Sequence, residues 1–343
     1  LRMSSASQPI NQLPKPSILE RLVQRHSKLA MALVVVFIII FVYGMVTAPN
    51  FLTLFNLKTI IRDAALVGIM AIGLTFVTLS GNFFLLSMKE TAALCIIAFA
   101  TGMASGWGFE LSFLFTMVFA LLAGISQGAL IGIGGNPIVV TLGAAGVLYG
   151  LGAYWSDNLV VSYRRPHGAE WLGTGSFLGL PNITVAFILI AISAELLLRK
   201  TSFGRQVYLI GANRAAGRAT GHENFWMAIK VCTIASVCSA FVAIAFSAQV
   251  SSAQVNYFSS EFGSSGDMTI MVIATVMVGG NSIMGGFGST LRSSLGAIFI
   301  STVDNMMVLH GFNSGPRVFA VGLMIVFSII VFAILRRGSR SEE

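Results

Sequence analysis

Long apolar runs separated by short polar punctuation dominate the chain. A helix needs about 20 mostly apolar residues to cross the hydrocarbon core of a bilayer. Ten segments approach that rule: 29–46, 59–80, 86–104, 110–133, 137–155, 182–198, 225–248, 267–283, 289–309 and 317–335. The pattern predicts an all-α, polytopic membrane protein with about ten transmembrane helices. Because ten is even, both termini fall on one side. Residues 1–28 have no apolar periodicity and read as a cytoplasmic N-terminal tail. The run that follows lacks a small-x-small cleavage site and reads as a retained first span. Residues 29–335 then form one transmembrane domain, and 336–343 a cytoplasmic C-terminal tail.

Charge placement orients this arrangement, because cytoplasmic connections of membrane proteins are enriched in Lys and Arg. With the N-terminus inside, Arg2, Lys15, Arg21, Arg25, Lys28, Lys89, Arg199, Lys200, Arg205, Arg214, Arg218, Lys230, Arg292, Arg336, Arg337 and Arg340 fall on the inner side. Only Lys58, Arg62, Arg164, Arg165 and Arg317 fall outside. A wrong number of spans would scramble this asymmetry.

Composition sharpens the class. The chain is 55% hydrophobic and 10% charged, with mean hydropathy +0.84, whereas soluble domains carry about 25% charged residues. The net charge of +8 comes with no basic stripe interleaved with aromatics, so topology explains it better than nucleic acid. Cys95, Cys232 and Cys238 lie inside apolar runs without metal-ligand spacing. His26, His167, His222 and His310 are dispersed, so neither a metal site nor a His-based triad is expected.

Two connections are long. The external one, 156–181, carries Arg164, Arg165, His167 and Glu170, polar handles on which a soluble binding protein could dock. Trp155 and Trp171 border it as interfacial anchors. The internal one, 199–224, is strongly basic. Within it Asn213 is an N-cap candidate for a short helix from Ala215, and Gly221 a stop. That helix presents Arg214 and Arg218 at i, i+4 to the cytoplasm, which suits docking of a cytoplasmic partner. Anchoring to acidic lipid is the simpler reading of the same charges.

The chain also echoes itself. Gly81-Asn82-Phe83-Phe84 follows one apolar run as Gly280-Asn281-Ser282 follows another. Gly-Asn pairs break helices, and broken backbone is tolerated at membrane depth only inside protein or along a cavity. Both turns are therefore candidates for the solute path, with short cytoplasmic turns as the alternative. Asp304 and Asn305 are the deepest polar pair. A proton or sodium relay would want such a group; a helix–helix hydrogen bond or a cavity wall would use it equally. Arg62, Asp63 and Glu195 lie near span ends and read as structural, and Glu90 as the partner of adjacent Lys89.

The internal connection is similar to the coupling segment of the ribose/xylose/galactose-type ABC transporter permeases, through Phe203-Gly204-Arg205, Tyr208, Ile210-Gly211 and Asn213 through Arg214, Ala215 and Ala216 to Gly221. The resemblance extends to Pro49, Phe51-Leu52, Asn56-Leu57 and Ile61-Arg62, to Thr141-Leu142-Gly143 with Gly150-Leu151, and to Gly279-Gly280-Asn281-Ser282 with Gly285-Gly286 and Gly288-Ser289. It implies a permease subunit of a bacterial inner-membrane importer for a monosaccharide or sugar-like solute. It also implies a second permease subunit, identical or paralogous, a cytoplasmic ATP-binding subunit and a periplasmic solute-binding protein. ATP and Mg would belong to the partner, and this chain would bind no cofactor. No lysine here follows a glycine, so the phosphate-cradling Gly-Lys-Ser/Thr loop is absent. The chain departs from the family at two places. Where the family has Gly-Gly-Ile-Asp-Leu-Ser, it has Gly81-Asn82-Phe83-Phe84-Leu85-Leu86, and Arg214 replaces a commonly acidic residue. The rival class is an ion-coupled secondary transporter or channel for a small polar solute, which would need several coupled intramembrane acids.

Overall fold

The computed structural model describes residues 38–39, 41–164, 168–219, 224–261 and 267–337. The predicted tail 1–28, much of the first segment, Arg165, His167 and Gly221 lie outside the described residues, and Ala216 and Arg218 are described in backbone alone. After a helical stretch at 41–47 come α1 (Leu54–Leu79), α2 (Met88–Ala104), α3 (Gly108–Gly132), α4 (Pro137–Ser156) and α5 (Asn182–Lys200). They are followed by α6 (Ser202–Ala212), α7 (Arg214–Ala219), α8 (Asn224–Val250), α9 (Met268–Val278), α10 (Thr290–Leu309) and α11 (Ser314–Arg337). Strands are two residues long: β1 (Val161–Ser162) pairs antiparallel with β4 (Ser252–Ala253), and β2 (Ser176–Phe177) with β3 (Leu180–Pro181).

Among the described residues five helices, α1, α3, α4, α5 and α8, are each long and apolar enough to cross a membrane. The chain is a mostly helical, multi-pass membrane protein. From Ala64 to Leu79 helix α1 carries no charged residue on any face, the composition of a helix surrounded by others, and this stretch is buried between α8, α10, α9 and α5. At the periphery α4 leaves Val139, Leu142, Val147 and Tyr154 exposed, side chains that lipid solvates well.

Helix ends are set by glycine chemistry. In α1 the Gly81 N–H donates to Thr78 O at 3.0 Å and Asn82 N–H to Val77 O at 3.3 Å. In α9 Gly280 donates to Met277 O at 2.9 Å and Asn281 to Val276 O at 3.3 Å. Gly81 (φ 78°) and Gly280 (φ 80°) take the left-handed conformation that this paired 5→2, 6→1 closure requires. The sequence echo is thus a repeated helix stop.

The broadest helix contact joins α3 to α8. It follows from glycines spaced four apart: Gly124, Gly128 and Gly132 face the backbone of α8, and a methyl group at Gly124 or Gly128 would stand 2.5 Å from the Cα of Thr233 or Ile229. Small residues at this spacing let helices approach closely enough for dispersion contacts to hold them without a hydrophobic drive. The glycine stripe is legible in the sequence as a four-residue period, although an apolar-run reading passes over it.

Candidate functional site

The basic connection folds into two helices joined at Asn213. Thr201 caps α6 through Gly204 N at 3.2 Å, and Asn213 Oδ1 accepts from Ala215 N at 2.9 Å, the cap expected from the sequence. Helix α6 buries Gly204, Val207 and Ile210 and leaves Arg205 exposed. Phe203 stacks on Phe76 of α1 with ring centroids 6.1 Å apart. Tyr208 donates to Gly288 O at 2.8 Å. Burial, reinforced by the nearby Glu195 carboxylate, pushes its phenol above the ordinary tyrosine range, so it remains a neutral donor.

The first Gly-Asn turn and the glycines that follow the second, Gly285 to Gly288, meet this element. Gly211 lies so close to Leu79 O and Gly286 N that no Cβ would fit. Gly286 N–H donates to Leu79 O at 3.0 Å, tying one turn to the other through backbone alone. A guanidinium nitrogen of Arg214 donates to Gly81 O at 2.7 Å and to Asn82 Oδ1 at 2.9 Å. Asn82 and Arg214 therefore bind each other. Asn281 Oδ1 accepts from Ser289 N at 2.7 Å while its amide donates to Ser293 Oγ at 2.7 Å, and Ser293 Oγ lies 2.6 Å from Thr75 Oγ1 of α1. Ser282 N–H donates to Phe287 O at 2.9 Å. Phe83 takes a left-handed φ of 57° and Phe84 packs on the main core. Seven of the nine path candidates, Gly81 to Phe84 and Gly280 to Ser282, thus lie in or beside turns packed within protein.

Asp304 and Asn305 sit elsewhere. Both Asp304 oxygens are bound by Arg317, whose Nε–Oδ1 distance is 3.0 Å and whose side chain is 1% exposed. Asn305 and Asn56 exchange two hydrogen bonds of 2.9 Å across α10 and α1. These are the helix–helix contacts that the sequence left open beside a relay. Glu195 has a sharper role than its place near a span end suggested. Its Oε2 accepts from Ser289 Oγ at 2.8 Å, Thr290 N at 3.0 Å and Thr290 Oγ1 at 2.8 Å, and Oε1 binds Arg199. A carboxylate from α5 thereby caps the positive N-terminus of α10.

Lys89 and Asp267 form a contact that span counting did not anticipate. The sequence sets Lys89 on the inner side and starts the eighth segment, at Asp267, from the outer side. The two side chains form an ion pair, with Glu90 Oε1 3.7 Å from Lys89 Nζ. Of the four candidates in the 156–181 connection, Arg164 is exposed and Glu170 begins a single helical turn, Glu170–Gly173, while Arg165 and His167 lie outside the described residues. Among the described residues no group of three His, Cys, Asp or Glu side chains is gathered closely enough to hold a metal ion.

Residues 56–334 match the family model described as branched-chain amino acid transport system / permease component. The chain is 30% identical over 343 residues to the probable ABC transporter permease protein YphD of Escherichia coli K12, covering 99% of this chain and all of that one. It is 28% identical to the ribose import permease protein RbsC of Bacillus subtilis, covering 82% of this chain and 86% of the relative. To the autoinducer 2 import system permease protein LsrC of Salmonella typhimurium it is 26% identical, over 85% and 82% of the two chains. The turns, the coupling-like helices and the glycine-rich segments all lie within the matched region, and the chain belongs to this family of permease components, as a permease subunit of an ABC transporter.

Proposed function

We propose that the chain forms the translocation pathway of a bacterial inner-membrane ABC importer for a monosaccharide or sugar-like solute. In this reading it crosses the membrane ten times with both termini in the cytoplasm. A second permease subunit, identical or paralogous, completes the pathway. A periplasmic binding protein delivers solute to the side carrying Arg164, Arg165, His167 and Glu170. A separate ATPase subunit, with its ATP and Mg, engages residues 201–221. The observation that carries the reading is the seating of α6 and α7 on the first Gly-Asn turn and on the glycines that follow the second, through Gly211, Arg214 and Tyr208. An ATPase that moves this element moves the ends of α1 and α9 with it, which is the link a partner-driven gate requires. The sugar assignment draws on the ribose import permease among the relatives.

Reconstitution in proteoliposomes tests it, using a panel of radiolabelled monosaccharides. Uptake is expected only when ATPase subunit, binding protein and ATP are all present, and it should survive collapse of proton and sodium gradients by ionophores. Uptake by the permease alone, abolished by the ionophores, would overturn it.

A further inference from the structure

The Lys89–Asp267 contact fixes a depth. Lys89 is the second residue of α2, and Asp267 is the N-cap of α9, its Oδ1 accepting from Thr269 N at 2.8 Å. Helix α9 has 11 residues, about 17 Å of rise. Its far end is the Gly280 turn, tied into the α6–α7 cluster. That rise is about half of a ~30 Å hydrocarbon core, so on the topology proposed above Asp267 stands near mid-membrane. A second ruler points in the same direction. Ser87 Oγ hydrogen-bonds Gln127 Oε1, five residues before α3 ends at Gly132, about 8 Å of helix. The irregular segment 82–87 thus climbs from the inner turn into the membrane before α2 begins.

Charged side chains at such depth face protein or water and not lipid. Here the side chains of Lys89, Glu90 and Asp267 keep 20%, 14% and 29% of their exposure. The cluster holds two carboxylates against one ammonium. Glu90 Oε2 is buried and has no hydrogen-bond partner among the described residues, an acceptor in need of a donor. Two broken helices that begin near mid-depth beside a charged, partly open surface make the arrangement expected where a polar solute crosses.

We propose that Lys89, Glu90 and Asp267 line the charged constriction of the solute path, and that Glu90 accepts hydrogen bonds from the hydroxyl groups of a neutral, hydroxyl-rich solute. The inference rests on the permease reading. The excess carboxylate disfavours anionic solutes such as sugar phosphates, while Lys89 supplies donors to ring or hydroxyl oxygens.

The test uses the assembled transporter in cells and in proteoliposomes. Glu90→Cys is treated with a membrane-impermeant cationic thiosulfonate, beside Ile97→Cys on the same helix, where the native residue is fully buried. A water-lined position 90 should react at least about tenfold faster than position 97, because only a hydrated thiolate attacks the reagent. Glu90→Gln should lower ATP-driven uptake of labelled monosaccharide about tenfold through the loss of a charge-assisted acceptor, with the amount of assembled complex unchanged. Equal reactivity at positions 90 and 97, or uptake by Glu90→Gln within about twofold of the parent, would overturn the assignment. A parent that shows no ATP-driven uptake would instead count against the importer reading, and the labelling ratio would still decide whether the cluster faces water.

Discussion

Arg214 hydrogen-bonds two acceptors 133 and 132 residues away in sequence, Gly81 O and Asn82 Oδ1. Its planar, multi-donor head can satisfy both at once, where a lysine would offer a point charge. Arg214→Ala is expected to lower solute uptake per ATP hydrolysed about tenfold, with Arg214→Lys in between; simultaneous assays of hydrolysis and uptake measure the ratio. For Asp304 the expected phenotype is structural. Asp304→Asn removes the carboxylate that binds buried Arg317, and breaking such a buried pair costs about 3–5 kcal/mol, so thermal unfolding of the detergent-solubilised complex should shift downward. An apolar double replacement, Asp304→Leu with Arg317→Met, should recover most of that loss. A relay would instead lose transport with stability unchanged. Some residue roles are local and hence legible in sequence, as Asn213 shows: a cap acts on an N–H two residues away. Glu195 was not legible, because its partners Ser289 and Thr290 lie 94 and 95 residues away and nothing near Glu195 announces them.

At the scale of elements, the apolar-run rule located α1 to α5 and α8 to α11, while α6 and α7 lie in the basic connection that it left between segments. It drew the segment 267–283 longer than its helix, which ends at Val278, because the Gly-Asn turn that closes the helix is followed by further apolar residues, Ile283 and Met284. Helix pairing was also beyond that rule, yet Gly124, Gly128 and Gly132 encode it. Gly128→Ile should force α3 from α8 and destabilise the fold by about 1–3 kcal/mol or more, seen as a lower melting temperature. Ala at Gly143 on α4, where nothing lies within 4 Å of an added methyl, should leave it unchanged.

For the whole molecule, sidedness is the property that charge asymmetry predicts. Cysteine in place of exposed Asn158 should react with an impermeant thiol reagent in intact spheroplasts, and cysteine in place of exposed Arg205 only in inverted vesicles. The opposite pattern at either site would refute ten spans with internal termini. The bond between Gly286 N and Leu79 O has a mechanical consequence at this scale. It fastens the adjoining ends of the two echoed helix–turn–helix units to each other beneath one strut, α6 with α7. A force applied to that strut acts on both units in the same direction and with the same lever arm, so it generates little torque between them. The pair then travels as a single keel, and the relative motion that opens a passage falls to the seams around it, between this keel and the outer helices or between this chain and its neighbour.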